Sequence, residues 1–147
     1  MAETYRHSVS VAGVTVRGDG RILVIKRRDN GQWQAPGGIL EAHEQIEAGL
    51  RREVLEETGV DVEPEQLTGV YKHMNLGVVA LVFRCRPVSG TPTETEESAA
   101  VSWLTPTEVA DQMTEAFAIR VQDALGGPWP HVRAHDGVRL VGADEEV

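Results

Sequence analysis

Apolar positions along the chain recur with two different periods, and each change of period marks a new element. Residues 7–16, HSVSVAGVTV, and 21–28, RILVIKRR, are rich in β-branched side chains and read as strands. The RGDG between them carries an Asp-Gly pair, which predicts a tight turn and an antiparallel hairpin at the start of the domain. A turn-rich connection follows over 29–38, DNGQWQAPGG, where Pro36 lacks a backbone donor and Gly37 and Gly38 are free in φ. The period then lengthens and predicts a helix over 44–58, closed by Gly59 as a left-handed residue just past the last turn. Strands are expected at 67–74 and 77–85, the second apolar enough to be central, then a Pro/Thr/Glu loop over 86–98 and a short strand over 99–104. Thr105-Pro106 with Glu108 has the form of a helix N-cap, opening a helical pattern that runs with a break to 125. The reading is one domain over 1–125 and a C-terminal tail over 126–147, ordered only if something docks it.

The helix contains an anomaly. Positions i, i+4, i+7 and i+11 share a face, and from Ile46 that series is Ile46, Leu50, Glu53, Glu57. A stripe that begins apolar, and so should face the core, continues as two glutamates, with Glu56 beside them and Glu44 a turn earlier. Crowding carboxylates near an apolar interior costs desolvation and repulsion, relieved by protonation, a basic partner or a cation. Glu47 and Arg51 stand four apart as a surface pair, and Arg52 reaches Glu56 along the helix, so at most one of the three acids gains a helical partner. A hard divalent cation with oxygen ligands accounts for the rest. A solvated acidic face with salt bridges is the alternative.

Composition narrows the classes. The net charge of −9, from 23 acids against 14 bases, argues against tracking along a nucleic-acid backbone, though a metal between the negative charges leaves a small phosphorylated substrate open. The single cysteine, Cys85, reads as a small buried hydrophobe and fits a reducing compartment. No apolar leader opens the chain, and the longest charge-free apolar run, 73–83, is too short to span a bilayer. A cytoplasmic protein without membrane or nucleic-acid partners is expected. The five histidines show no paired ligand spacing and read as structural or surface residues.

Gly38, then Glu44, then REVLEETGV from Arg52 to Val60 match the Nudix box at every defined position. The chain thereby resembles the Nudix hydrolase family, the mutator-T-like pyrophosphohydrolases, and its flanking elements extend the likeness over 7–125. The resemblance implies an α/β Nudix fold, an α/β/α sandwich with a mixed β-sheet. It also implies metal-dependent hydrolysis of a pyrophosphate bond in a nucleoside diphosphate linked to another moiety. By position it makes Glu53, Glu56 and Glu57 carboxylate ligands of Mg²⁺ or Mn²⁺ and gives Gly37 a ligating carbonyl. Arg52 would orient a ligating glutamate, and Glu44 would support the helix entrance or a second metal. A further loop acid is expected, Glu97 matching better than Glu96. One glutamate would act as general base: Glu53 first, with Glu56 and Glu97 as rivals.

For substrate contacts, Lys26, Arg27 and Arg28 could meet phosphates, Gly38 lets backbone approach one, and Trp33 could stack on a base; each also fits a strand end or a loop packing residue. The family's subclass marks are missing: position 76 is Leu rather than proline, Tyr71 comes too early, and GPWPH at 127–131 lies too late. Elimination leans towards a nucleoside triphosphate or modified nucleotide, with ADP-ribose or a nucleotide sugar as the alternative. A reading of another class is a non-catalytic nucleotide-sensing module on the same fold. The expected partner is a small nucleotide, with a homodimer allowed for.

Overall fold

In a computed structural model, which describes residues 5–142, the chain forms two sheets with helices packed against them. The strands are β1 (Ser8–Thr15), β2 (Ile22–Arg27), β3 (Trp33–Gln34), β4 (Gly37–Ile39), β5 (Val60–His73), β6 (Val78–Gly90), β7 (Ser98–Leu104), β8 (His131–His135) and β9 (Leu140–Val141). The helices are α1 (Ile46–Thr58), α2 (Pro106–Gln112) and α3 (Glu115–Leu125). A six-stranded mixed sheet runs β4-β1-β6-β5-β8-β9, with β1 parallel to β6 and β5 parallel to β8; a three-stranded antiparallel sheet runs β3-β2-β7. Strands β1 and β2 are apolar on successive positions because both faces are covered. Val11 and Leu23 pack with Leu50 and Val54 of α1, while Val14, Ile22 and Val24 pack with Val109 of α2 and Val121 of α3. The mixed sheet flanked by helices is therefore observed as expected.

The opening hairpin is not. β1 and β2 share a single bridge, Val16 to Ile22, across a turn in which Arg17 N–H donates to the Arg21 carbonyl. Beyond it they part into different sheets, so Asp19-Gly20 marks a corner instead of a ladder. The predicted strands at 67–74 and 77–85 are halves of longer ones: β5 starts at Val60, absorbs Pro64 at a register shift, and stays paired with β6 as far as Gly90. Pro64 and three acids, Asp61, Glu63 and Glu65, hid that extension from a reading by apolar period. Up to residue 142 the expected tail has the docking partner that its order required. β8 adds parallel to β5 and β9 closes on β8, so the sheet continues past 125. Residues 143–147 of that tail lie outside the described residues.

Local signals at helix ends were well placed. Gly59 adopts φ 77° and donates to the Leu55 carbonyl, ending α1 in the left-handed cap. Thr105 and Glu108 form a reciprocal capping box with Pro106 in the first turn of α2, and the expected break falls at Met113-Thr114.

Candidate active site

Strand β4 lies directly against helix α1 and beside β1, at two positions closer than a side chain would allow. A Cβ on Gly37 would collide with the Val11 carbonyl oxygen, and one on Gly38 with the Glu53 carboxylate. Neither glycine has positive φ, so both are required for close approach, not for the conformational freedom expected of them. The Gly37 N–H donates to Glu57 Oε1 at 3.1 Å.

The acids of α1 occupy three environments. Glu57 is buried, with 5% of its surface exposed. The Glu53 side chain is 13% exposed and that of Glu56 is 61% exposed. Of the predicted stripe Leu50 is buried but Ile46 is exposed, so the helix rests on Gly49, Leu50, Val54, Glu57 and Thr58. Arg52 does more than the expected single pairing. Its Nε and Nη2 hold Glu44 at 2.5 and 2.8 Å, while Nη1 donates to Glu53 Oε1 at 3.0 Å and Glu56 Oε2 at 3.2 Å. Arg51 pairs with Glu63 of β5, not with Glu47.

The electrostatics follow from these contacts. The Arg52 guanidinium holds the Glu44 carboxyl down at about 2. Burial pushes Glu53 up, opposed by Arg52. Burial pushes Glu57 up to about 8, helped by the charges of Glu53 and Glu97 and opposed by the Gly37 N–H. Glu57 has one hydrogen bond, from the Gly37 N–H, and no ion pair among the described residues, the Arg27 charge acting on it only weakly.

Glu97 reaches the same cleft from the loop before β7. Thr95 Oγ1 accepts from the Glu97 and Ser98 N–H groups, and Ser98 Oγ donates to the Glu57 carbonyl, fastening the loop to the end of α1. A cleft of about 620 Å³ is lined by Glu53, Glu57, Glu96 and Glu97 on one side and by Arg27, Gly37 and Gly38 on the other. Glu56 faces a neighbouring groove with Glu96 and Glu97.

The expected substrate contacts divide. Arg27 lines the cleft but is paired with Asp29 at 2.6 and 2.9 Å, and that partner raises its pKa. Arg28 lines it too, while its Nη2 donates to the carbonyls of Thr95 and Ser98 and ties β2 to the acid loop. Trp33 is half-buried against the core around Val14 and Val24 and is not among the residues lining the cleft. Cys85 is buried and free, as expected.

Beyond Gly37, Gly38 and Arg27 the cleft continues as a second space of about 250 Å³ that the sequence did not announce. Its far end is made by His73 of β5, Phe117 and Arg120 of α3, and His135 of β8. These come from three distant stretches with no common spacing.

The donor set near α1 suits a hard divalent ion: carboxylate oxygens, exposed backbone at two glycines, and one buried acid whose charge lacks compensation. Among the described residues no three ligating side chains meet as a closed set, because Arg52 draws Glu53 and Glu56 to itself. Loading would exchange those contacts for the ion.

A family model for the NUDIX domain matches residues 6–124, and the chain belongs to that family of hydrolases. It is 60% identical over 137 residues to a MutT-like protein of Streptomyces ambofaciens, covering 93% of this chain and 89% of that one. It is 35% identical over 94 residues to an ADP-ribose pyrophosphatase of Methanocaldococcus jannaschii, covering 58% of this chain and 55% of that one. Among solved structures it resembles a MutT NUDIX hydrolase from Burkholderia pseudomallei at 30% identity and TM-score 0.72, covering 81% of this chain and 98% of that one. Nudix hydrolases generally use divalent metals and act on small nucleotide substrates. No helix among the described residues is long and apolar enough to cross a membrane.

Proposed function

We propose that this enzyme cleaves the pyrophosphate of a nucleoside triphosphate or modified nucleotide, with Glu53, Glu56, Glu57 and Glu97 as metal-binding candidates and Mg²⁺ or Mn²⁺ as the metal. The observation that carries the reading is the gathering of Glu53, Glu57 and Glu97 on one cleft against the bare backbone of Gly37 and Gly38. When bound, the metal would neutralise the phosphate oxygens and acidify the attacking water. Gly38 leaves room for a phosphate to approach the backbone, and Gly37 supplies a carbonyl. Arg52, locked on Glu44, holds Glu53 in place, and Glu53 takes the proton of the water that attacks phosphorus. Arg27 leaves Asp29 to meet a non-bridging oxygen, while Arg28 positions the Glu97 loop. Every acid of the box is present, which favours catalysis over a sensing module. The alternative substrate, ADP-ribose or a nucleotide sugar, has the activity named for the Methanocaldococcus relative in its favour.

A nucleotide panel with Mg²⁺ or Mn²⁺, products resolved by chromatography, tests both at once. Release of pyrophosphate from triphosphates is expected; cleavage of ADP-ribose alone selects the alternative, and no cleavage of any anhydride overturns the reading.

A further inference from the structure

The loop that carries Glu97 is strapped down on two sides, and one buried hydroxyl joins it to the acid helix. A helix leaves its last carbonyls without partners of its own. In α1 the Thr58 carbonyl accepts the Thr93 N–H at 2.8 Å, and the Glu57 carbonyl accepts the Ser98 hydroxyl at 2.9 Å. Both donors come from the segment 93–98. Ser98 is wholly buried, so water has no ready access to that hydrogen bond. The last turn of α1 carries no basic side chain that could take over the carbonyl.

The other side of the loop is tied to β2. The Arg28 N–H donates to the Glu97 carbonyl at 2.9 Å, and Arg28 Nη2 donates to the carbonyls of Thr95 and Ser98 at 2.9 and 3.2 Å. Thr95 Oγ1 accepts the N–H groups of Glu97 at 3.3 Å and Ser98 at 3.1 Å, closing a local turn around the acid. Both backbone polar groups of Glu97 are therefore engaged, while the residue itself is exposed and lines the cleft with Glu53 and Glu57. Glu57 stands at the meeting point, its carboxyl held by the Gly37 N–H on the cleft and its carbonyl by Ser98. One hydroxyl, a single residue from Glu97, thus links two acids that belong to different elements.

We propose that Ser98 is a positioning residue for the metal: by bonding the Glu57 carbonyl it holds the Glu97 carboxylate where an ion on Glu57 can share it. The proposal rests on the hydrolase reading above, which takes both acids as metal-binding candidates. Carboxylates that repel one another must be brought together either once, during folding, or anew at each binding event, and a fixed loop does the former. A loop released at Ser98 would do the latter. The acids already sense one another, since the charge of Glu97 contributes to raising both Glu53 and Glu57. The simpler role, satisfying a helix end, would make Ser98 matter for stability and not for the ion. Ser98 stands outside the box of residues 38–60, at the junction of the acid loop with β7.

Titration of the whole chain with Mn²⁺, the free ion read by electron paramagnetic resonance, separates the two roles without requiring turnover. Ser98→Ala is expected to weaken Mn²⁺ binding about 10-fold or more, the usual scale for a group that orients a ligand. Glu97→Gln should weaken it as well, and Ser98→Ala should add little in the Glu97→Gln background, because the two act through one carboxylate. Thr95→Val frees the other side of the same turn and should repeat this dependence on Glu97, which supplies a second arm if circular dichroism shows Ser98→Ala unfolded. Unchanged affinity in folded Ser98→Ala, no effect of Glu97→Gln, or equal losses with and without Glu97 would overturn the proposal. A parent that binds no Mn²⁺ overturns the metal reading and this proposal with it. A parent that binds Mn²⁺ no better than Ser98→Ala removes the positioning role alone and leaves the hydrolase.

Discussion

The two ends of the cleft are electrostatic opposites. At the α1 end buried Glu57 has no ion pair among the described residues, and at the α3 end the partly buried Arg120 has no carboxylate partner among them and a buried Nε without an acceptor. The difference teaches how a chain of net charge −9 can still take a polyanion: repulsion is confined to one end, where metal can cancel it.

The sharpest way to break this comparison is at the acidic end. Glu53→Gln and Glu57→Gln should each lower kcat by about 10²-fold or more, since a lost ligand or base removes several kcal/mol of transition-state stabilisation. Metal-free stability should stay level or rise by up to about 1 kcal/mol, because the charge there is a functional strain. Melting curves and turnover with and without Mg²⁺ read both quantities. A destabilised, still active Glu57→Gln would return the acids to an ordinary salt-bridged face.

A glycine gives the next largest effect. Gly59→Val places a β-branched residue at φ 77°, with its Cβ 3.0 Å from the Thr91 carbonyl oxygen, and should cost roughly 1 to 2 kcal/mol. Denaturant unfolding measures it, and an unchanged midpoint would refute the strain.

The subtlest test is pH. Glu57 is raised above its ordinary 4.5, so its contribution to metal-free stability is full below that value and lost as pH rises through about 8. His135 is lowered from 6.5, so its contribution is full above that value and lost as pH falls through about 4. The two ends should thus pull the stability profile in opposite directions. Glu57→Gln should flatten the fall between 4.5 and 8, and His135→Phe the fall between 6.5 and 4. Melting temperatures across that range in chelator check both signs, and saturating Mg²⁺ should erase the Glu57 slope alone.

What could be read from sequence was what neighbouring residues decide. Helix α1, its cap at Gly59 and the capping box at Thr105 depend on side chains a few positions apart, and the acids stood out because they broke a local period. The partition of β1 and β2 into two sheets depends on partners about 70 to 80 residues away, which Asp19-Gly20 cannot report. Arg52 was under-read because its strongest partner, Glu44, lies in the loop before the helix rather than along it. Arg120, His73 and His135 carried no signal at all: one arginine in a helix and two isolated histidines become a set only when β8 lies down beside β5.

That strand also bears on how the chain is made. β8 pairs residues 131–135 with 69–73 in parallel, a contact that closes about sixty residues of intervening chain and must wait until residue 135 has been synthesised. Until then the segment 69–73 of β5 is an open edge, able to pair with the same edge of another molecule. A chain ending near residue 126 would keep that edge for good. Its expected fate is aggregation rather than a smaller working enzyme, and β8 would serve the nascent protein as a seal before it serves the ligand as a wall.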